Sequence, residues 1–271
     1  MNTFLQNLEM LNEDLKNNLP CSLEDFENKI SNAAGGFLGY IPDFILKNFP
    51  KNKSEIDFFQ MFDVFVDFLK KNDIQSALDT INLFFENAIV FEIFKNHYDG
   101  MHISFGVILK NNICNEELFL KVFKPDYKAV NLFYYRHGPF VEPAVAMFIN
   151  SHLKNNNNFL KFYFANSLKG YMVSEYVKSV CHYADSLNAY REEVKKMENL
   201  TDIIISELFE EFIEKITGEK INHYKTLKSM PKERFRGLDY QAENFIIYED
   251  AFGQKHCKMI DYGYIIKYKN Q

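Results

Sequence analysis

Tryptophan is absent from this 271-residue chain, and arginine nearly so, with four residues in a Lys+Arg total of 31. Lysine and asparagine take its place, a bias of AT-rich coding rather than a functional signal. The formal net charge is −6, which argues against nucleic acid as the dominant partner. Cysteine is sparse: Cys21, Cys114, Cys181 and Cys257 stand far apart, with no C-x-x-C and no histidine at zinc-ligand spacing. They read as buried free thiols of a reducing compartment. The seven histidines are scattered and read as structural or exposed. No apolar run reaches the roughly 18 residues that a membrane span needs. The N-terminus, MNTFLQNLEMLNEDL, is amphipathic and acidic and lacks the basic and apolar regions of a Sec-type leader.

What the chain has is aromatic bulk, 28 Phe and 16 Tyr within a hydrophobic content of 47%. That is enough for a core in one large domain or two smaller ones. Charge divides the chain. Residues 1–97 hold 15 Asp/Glu against 8 Lys, a net of −7, and residues 98–271 hold 22 acidic and 23 basic residues, a net of +1. The asymmetry predicts two modules.

Periodicity agrees with that division. In 1–97, TFLQNLEMLNEDLKNNL and SEIDFFQMFDVFVDFLKK space apolar residues three and four apart, with Ser54 as N-cap of the second run. Asp73 caps a further expected helix through IQSALDTINLFFENAIVFEIF, and AAGGFLGYIP reads as a loop. The Phe-rich faces predict a helix-bundle core, with a partner-binding groove as the other reading. From about residue 98 the pattern changes. HISFGVIL and ELFLKVF are strand-like, FVEPAVAMFINSHL is helical, and FLKFYFANSLKGYMVSEYV reads as two strands around a turn. A helical stretch then runs to Gly218, followed by a loop and two strands. The class is α+β.

Near the C-terminus stands GLDYQAENFIIYEDAFGQKHCKMIDYG. Asp239 is followed five positions later by Asn244, then by an apolar hairpin pattern and Asp261-Tyr-Gly. Upstream, Lys121 ends a strand pattern in ELFLKVF, and Glu142 follows 21 residues later on a helix pattern. This ordered set resembles the protein-kinase constellation, with D-x-x-x-x-N of the catalytic loop, an Asp-Tyr-Gly where D-F-G belongs, and the V-A-I-K lysine with its helical glutamate. MVSEYV is similar to a kinase hinge, with Ser174 as gatekeeper, and SFGV to the end of the glycine-rich loop. In detail the chain resembles the minimal secreted effector kinases of the OspG/NleH/HopBF type. The resemblance covers roughly residues 98–271.

The resemblance implies a truncated bilobal protein-kinase-like fold after an all-α helical module: 1–97 helical, N-lobe 98–174, hinge 175–178, shortened C-lobe 179–271. It implies ATP and Mg²⁺ as cofactors and phosphorylation of protein Ser/Thr. Lys121 would neutralise phosphate charge, Glu142 would hold its ammonium, and Asp239 would orient the attacking hydroxyl. Asn244 and Asp261 would hold the metal as hard oxygen ligands. Gly106 and Val107 would line the nucleotide, and Glu175 and Val177 would offer backbone groups to adenine. It implies delivery from a bacterial cytoplasm into a host cell, and a host substrate or activator, with ubiquitin or a ubiquitin-charged conjugating enzyme as the partner class. Neither nucleic acid nor a membrane span is expected.

There are departures. Gly237 and Leu238 stand where His-Arg precedes the catalytic Asp, Gly100 is one position out of register, and YIIKYKNQ alone follows Gly263, so no activation segment is expected. Without one, the paired state of Lys121 and Glu142 is expected to be held by the helical module in cis or by a host partner. Each residue also has a bland reading. Lys121 reads as an ordinary edge-strand lysine, Glu142 as a charge favoured by the helix N-terminus, and Asp239, Asn244 and Asp261 as turn residues. Rival functions are a pseudokinase scaffold, a small-molecule kinase, and a helical partner-binding protein carrying a fold remnant.

Overall fold

The computed structural model describes residues 3–17, 23–86, 88–100, 104–114, 116–123, 135–136, 139–152, 159–179, 234–238, 245–260 and 264–268. The N-terminal part holds α1 (Thr3–Asn17), α2 (Leu23–Ala34), β1 (Phe37–Gly39), α3 (Asp43–Leu46), α4 (Glu55–Lys70) and α5 (Ile74–Phe84). A meander of β2 (Phe91–Gly100), β3 (Ser104–Asn111) and β4 (Leu118–Phe123) follows. Then come β5 (Tyr135–Arg136), α6 (Val141–His152), β6 (Phe162–Asn166) and β7 (Tyr171–Glu175). The last elements are β8 (Arg234–Leu238), β9 (Phe245–Glu249), β10 (Lys255–Met259) and β11 (Tyr264–Tyr268). The mixture of helices and antiparallel sheet is α+β. The helical reading of the stretch ending at Gly218 lies outside the described residues, as do Cys21 and Cys181. Cys114 is a half-buried free thiol rather than a buried one. No helix among the described residues is long and apolar enough to cross a membrane.

Local signals set the helices. Ser54 and Asp57 form a capping box at the start of α4: the Asp57 N–H donates to Ser54 Oγ at 3.3 Å, and the Ser54 N–H to Asp57 Oδ2 at 2.8 Å. Asp73 caps α5 by accepting from the Ser76 N–H at 3.1 Å. That helix stops at Phe84, well short of the expected end. Glu86 takes a left-handed φ of 51°, and the β-branched and aromatic run that follows enters a strand. Asn82 catches it there. Its side-chain oxygen accepts from the Phe91 N–H at 2.7 Å, and its amide donates to the Phe91 carbonyl at 3.2 Å.

The expected loop at AAGGFLGYIP contains β1, which pairs antiparallel with β6. Asn12 of α1 treats β1 as Asn82 treats β2. It accepts from the Gly39 N–H and donates to the Gly39 carbonyl, both at 2.9 Å, and is fully buried. Gly39 has a φ of 85°, and a Cβ there would meet the Tyr163 carbonyl oxygen at 2.1 Å, so both its backbone angle and its close approach require glycine.

One antiparallel sheet of order β1-β6-β7-β4-β3-β2 forms the centre. Its edge strands come from the N-terminal part, and the expected division at 97/98 falls inside β2. The Phe-rich face of α4 packs on this sheet, which replaces the expected helix-bundle core with helix-on-sheet packing. Phe62 lies 5.1 Å from the Phe164 ring and 5.5 Å from Tyr171. Phe85 lies 5.5 Å from Phe91. Val107, Leu109, Leu118, Leu120, Val122 and Val173 are fully buried in the same core.

A polar cluster fixes α4 to the β6–β7 turn. Asp63 accepts from the Tyr171 hydroxyl at 2.9 Å and from Asn166 Nδ2 at 3.1 Å. Lys169 pairs with Asp67 at 2.9 Å, and Lys70 donates to the Lys169 carbonyl at 2.5 Å. Burial raises the Asp63 carboxyl above its usual range, against the lowering effect of the hydrogen bonds from Tyr171 and Asn166. Burial likewise lifts the Tyr171 phenol well above its usual range, helped by the Asp63 charge.

Two predictions follow the polar groups of this core. Asn12→Ala would leave a buried N–H and a buried carbonyl unsatisfied, and is expected to cost about 2–4 kcal/mol in urea unfolding. A loss within the roughly 0.5 kcal/mol of a surface substitution would show that water replaces the side chain. The folded state holds the Asp63 proton more tightly than the unfolded chain, so this group's contribution to stability falls as pH rises from the ordinary carboxylate range through the raised value. The melting temperature of Asp63→Asn relative to wild type should climb across that window and level off above it. A difference that does not change with pH would mean that this carboxyl titrates normally.

Candidate functional site

Alternation along β4 puts Leu118, Leu120 and Val122 toward the α4 side of the sheet and Lys121 on the other face. The first turn of α6 carries Glu142. Lys121 Nζ meets Glu142 Oε1 at 2.5 Å, with side-chain exposures of 17% and 2%. Lys121 Nζ also lies 5.6 Å from the centre of the Phe123 ring. β4 is an interior strand, so Lys121 is not an edge-strand lysine, while Glu142 does stand in the first turn of its helix and is also half of a largely buried pair between strand and helix. Such a pair contributes little net stability, because desolvating two charges offsets their attraction. The glutamate holds the lysine ammonium at a fixed position.

Cross-strand pairing shows what surrounds this cation. Lys121 stands opposite Gly106 on β3 and Met172 on β7, and Phe119 stands opposite Ile108 and Ser174. Directly paired residues share a face, so Gly106, Ile108, Met172 and Ser174 lie on the Lys121 face. Gly106 places a buried residue without a side chain directly opposite Lys121. Val107 departs from the sequence expectation. It pairs with Leu120, so its side chain is on the opposite face and packs in the helix-covered core. Ile108 takes its place on the Lys121 face, buried at 1% exposure. The expected gatekeeper Ser174 is buried there too, donating from Oγ to the Glu175 carbonyl at 3.2 Å.

Beyond β7, Tyr176–Ser179 belong to no helix or strand. The Glu175 N–H donates to the Lys161 carbonyl and the Tyr176 N–H to the Glu117 carbonyl, both at 2.9 Å. Val177 packs partly buried against the core, and its backbone N–H meets no acceptor among the described residues. Glu175 does more than the backbone role expected of it. Its carboxylate accepts from Lys258 Nζ at 2.6 Å and from the Lys161 N–H at 2.8 Å. Sequence reasoning missed Lys258. The sequence shows only a lysine inside the strand pattern KHCKMI; that it shares a face with Ile246 and is buried at 6% exposure comes from the structure.

Asp239, Asn244 and Asp261 lie outside the described residues, but the chain on both sides of them is described. Leu238, just before Asp239, pairs with Tyr264, just after Gly263, in the antiparallel β8–β11 ladder. Phe245, just after Asn244, pairs with Met259 in the β9–β10 hairpin. The segments 239–244 and 260–263 are thus each bounded by strands that pair with one another at both ends. Among the described residues no group of three His, Cys, Asp or Glu side chains could hold a metal ion.

A double-mutant cycle tests the central pair. Lys121→Met and Glu142→Leu are each expected to destabilise the fold by about 3 kcal/mol, because each strands the other's charge. The double substitution should recover most of that loss, and simple additivity would mean that the two side chains do not depend on each other. Comparison of the chain with models of known protein families, with characterised proteins and with solved structures finds no match.

Proposed function

We propose that this chain is an ATP- and Mg²⁺-dependent phosphotransferase of the protein-kinase kind, acting on protein Ser/Thr, with a shortened bilobal arrangement. The observation that carries the reading is the Lys121–Glu142 pair in its setting. The lysine is on the third strand of a meander, β2-β3-β4, and the glutamate is on the helix that follows. This is the placement of the phosphate-contacting lysine and its helical partner in protein kinases. The closed antiparallel bracket around 239–244 and 260–263 is a second support. It connects the expected catalytic loop and the Asp-Tyr-Gly by strands. A third is Ile108, two residues beyond Gly106, where the kinase glycine-rich pattern has its valine.

The donor set on the Lys121 face fits a nucleotide. An ammonium beside a glycine suits phosphate oxygens, while Ile108, Ser174 and the backbone of Glu175–Val177 suit a flat base. Bound Mg²⁺-ATP supplies the phosphoryl group to be transferred. Lys121 neutralises phosphate charge, and Glu142 keeps its ammonium from swinging away. Asp239 accepts a hydrogen bond from the attacking hydroxyl and orients it. Asn244 and Asp261 are the hard oxygen ligands for the metal. Most of the rate gain in such a site comes from alignment and charge neutralisation.

The same reading gives the N-terminal part a role in cis. α1 packs against α6, the helix that bears Glu142, so α1 favours the paired state of Lys121. Delivery into a host cell and a host substrate or activator belong to this proposal through the family resemblance, as does ubiquitin or a ubiquitin-charged conjugating enzyme as the partner class.

The test separates binding from chemistry. ATP is expected to raise the melting temperature only with Mg²⁺ or Mn²⁺ present, and Asp261→Ala should lose that metal-dependent part. Asp239→Asn should bind ATP as wild type does, yet transfer to a protein substrate at least about 100-fold more slowly. Metal-independent binding without turnover would point to a scaffold instead. Wild-type turnover by Asp239→Asn would mean that Asp239 is not the orienting carboxylate.

A further inference from the structure

The pair between Glu175 and Lys258 joins two parts of the chain that are 83 residues apart. Glu175 ends β7, the central-sheet strand that leads into the linker Tyr176–Ser179. Lys258 is in β10, on the hairpin that begins next to Asn244 and ends two residues before Asp261. The Glu175 residue is bound in three ways. Its N–H donates to the Lys161 carbonyl at 2.9 Å, and its Oε1 accepts from the Lys161 N–H at 2.8 Å and from Lys258 Nζ at 2.6 Å. Lys258 is held from below as well, its ammonium lying 5.0 Å from the centre of the Tyr248 ring. Its side chain is 7% exposed and that of Glu175 24%. Ile247 and Ile260 of the same hairpin pack into the core that contains β4 and β7. The hairpin is therefore docked on the core by apolar contact and registered by the Glu175–Lys258 ion pair. Apolar contact alone tolerates sliding, whereas a charge-assisted hydrogen bond at 2.6 Å fixes a distance.

We propose that Glu175 and Lys258 are a positioning pair that sets the spacing between the linker after β7 and the β9–β10 hairpin. This rests on the phosphotransferase reading, in which the linker contacts the base and the hairpin carries the metal-binding positions at its two ends. The pair then determines how well one nucleotide reaches both sets of groups at once. Lys258 touches neither the reacting atoms nor the metal, and it acts through Glu175. Losing it should widen or loosen the slot and weaken ATP binding, while a nucleotide that has bound still reacts.

The experiment uses the full chain with Lys258→Met, Lys258→Arg and Glu175→Gln. In nucleotide-free protein, amide exchange in 175–179 and in 245–259 is expected to speed up together by about 10-fold in Lys258→Met. The KM for ATP should rise by about 10-fold with kcat within about threefold of wild type, and Lys258→Arg should restore both. Glu175→Gln keeps the acceptor for Lys161 but loses the charge, and it should repeat the coupled rise in amide exchange if Lys258→Met does not fold. Unchanged exchange, or loosening of the hairpin alone, overturns the tether whatever the nucleotide does. Coupled loosening with a parallel fall in kcat and no change in KM overturns the positioning role. Coupled loosening in a chain whose wild type neither binds nor turns over ATP keeps the tether and overturns the nucleotide role together with the reading beneath it.

Discussion

The rest of the structure depends on the contact that Phe62 makes with Phe164 and Tyr171 across the face of the central sheet. A sheet carrying Val107, Leu109, Leu120, Val122 and Val173 on one face cannot present that face to water. The six-residue aromatic and aliphatic stripe of α4, from Phe58 to Leu69, covers it. The acidic N-terminal part is thus the other half of the core and not an appendage to it. Its polar back is exposed, which explains why its charge differs from that of the rest of the chain while its interior does not. With this face closed, the opposite face is left for Lys121, Glu142 and the groups beside them.

How much of this was legible in the sequence depends on whether a residue's neighbours are close in the chain. The capping box at Ser54 and the cap at Asp73 are local, and both form as read. The strand of Lys121 and the helix of Glu142 are each clear from periodicity, and the family spacing of 21 residues links them. Phe91–Phe94 reads as more helix because its apolar residues continue the helical run. What makes it a strand is Asn82 on one side and β3 on the other, and pairing partners are invisible to a window of one segment. The same holds for Phe37–Gly39, whose partner lies more than a hundred residues away in β6.

Val107 shows a second limit. The SFGV pattern places the right strand near the site, but strand side chains alternate, so a reading one residue off selects the opposite face. The register with β4 assigns Ile108 to the Lys121 face. Lys258 shows a third. A lysine in an apolar strand is a signal only when its counter-charge is known, and Glu175 comes from a different part of the chain. The spacing of Asp239, Asn244 and Asp261 is a sequence property, and what the structure adds is the pairing of the strands that flank them.

Asn12 has one more consequence. A strand at the rim of a sheet offers unpaired N–H and carbonyl groups to any passing chain, and β1 is such a strand. The carboxamide of Asn12 occupies both groups of Gly39 with the geometry that a peptide from another molecule would use. An incoming strand would have to expel a fully buried side chain before gaining its first hydrogen bond there. The asparagine therefore works as a lock against edge-to-edge association at this position, so that the sheet ends within its own molecule rather than growing into the next.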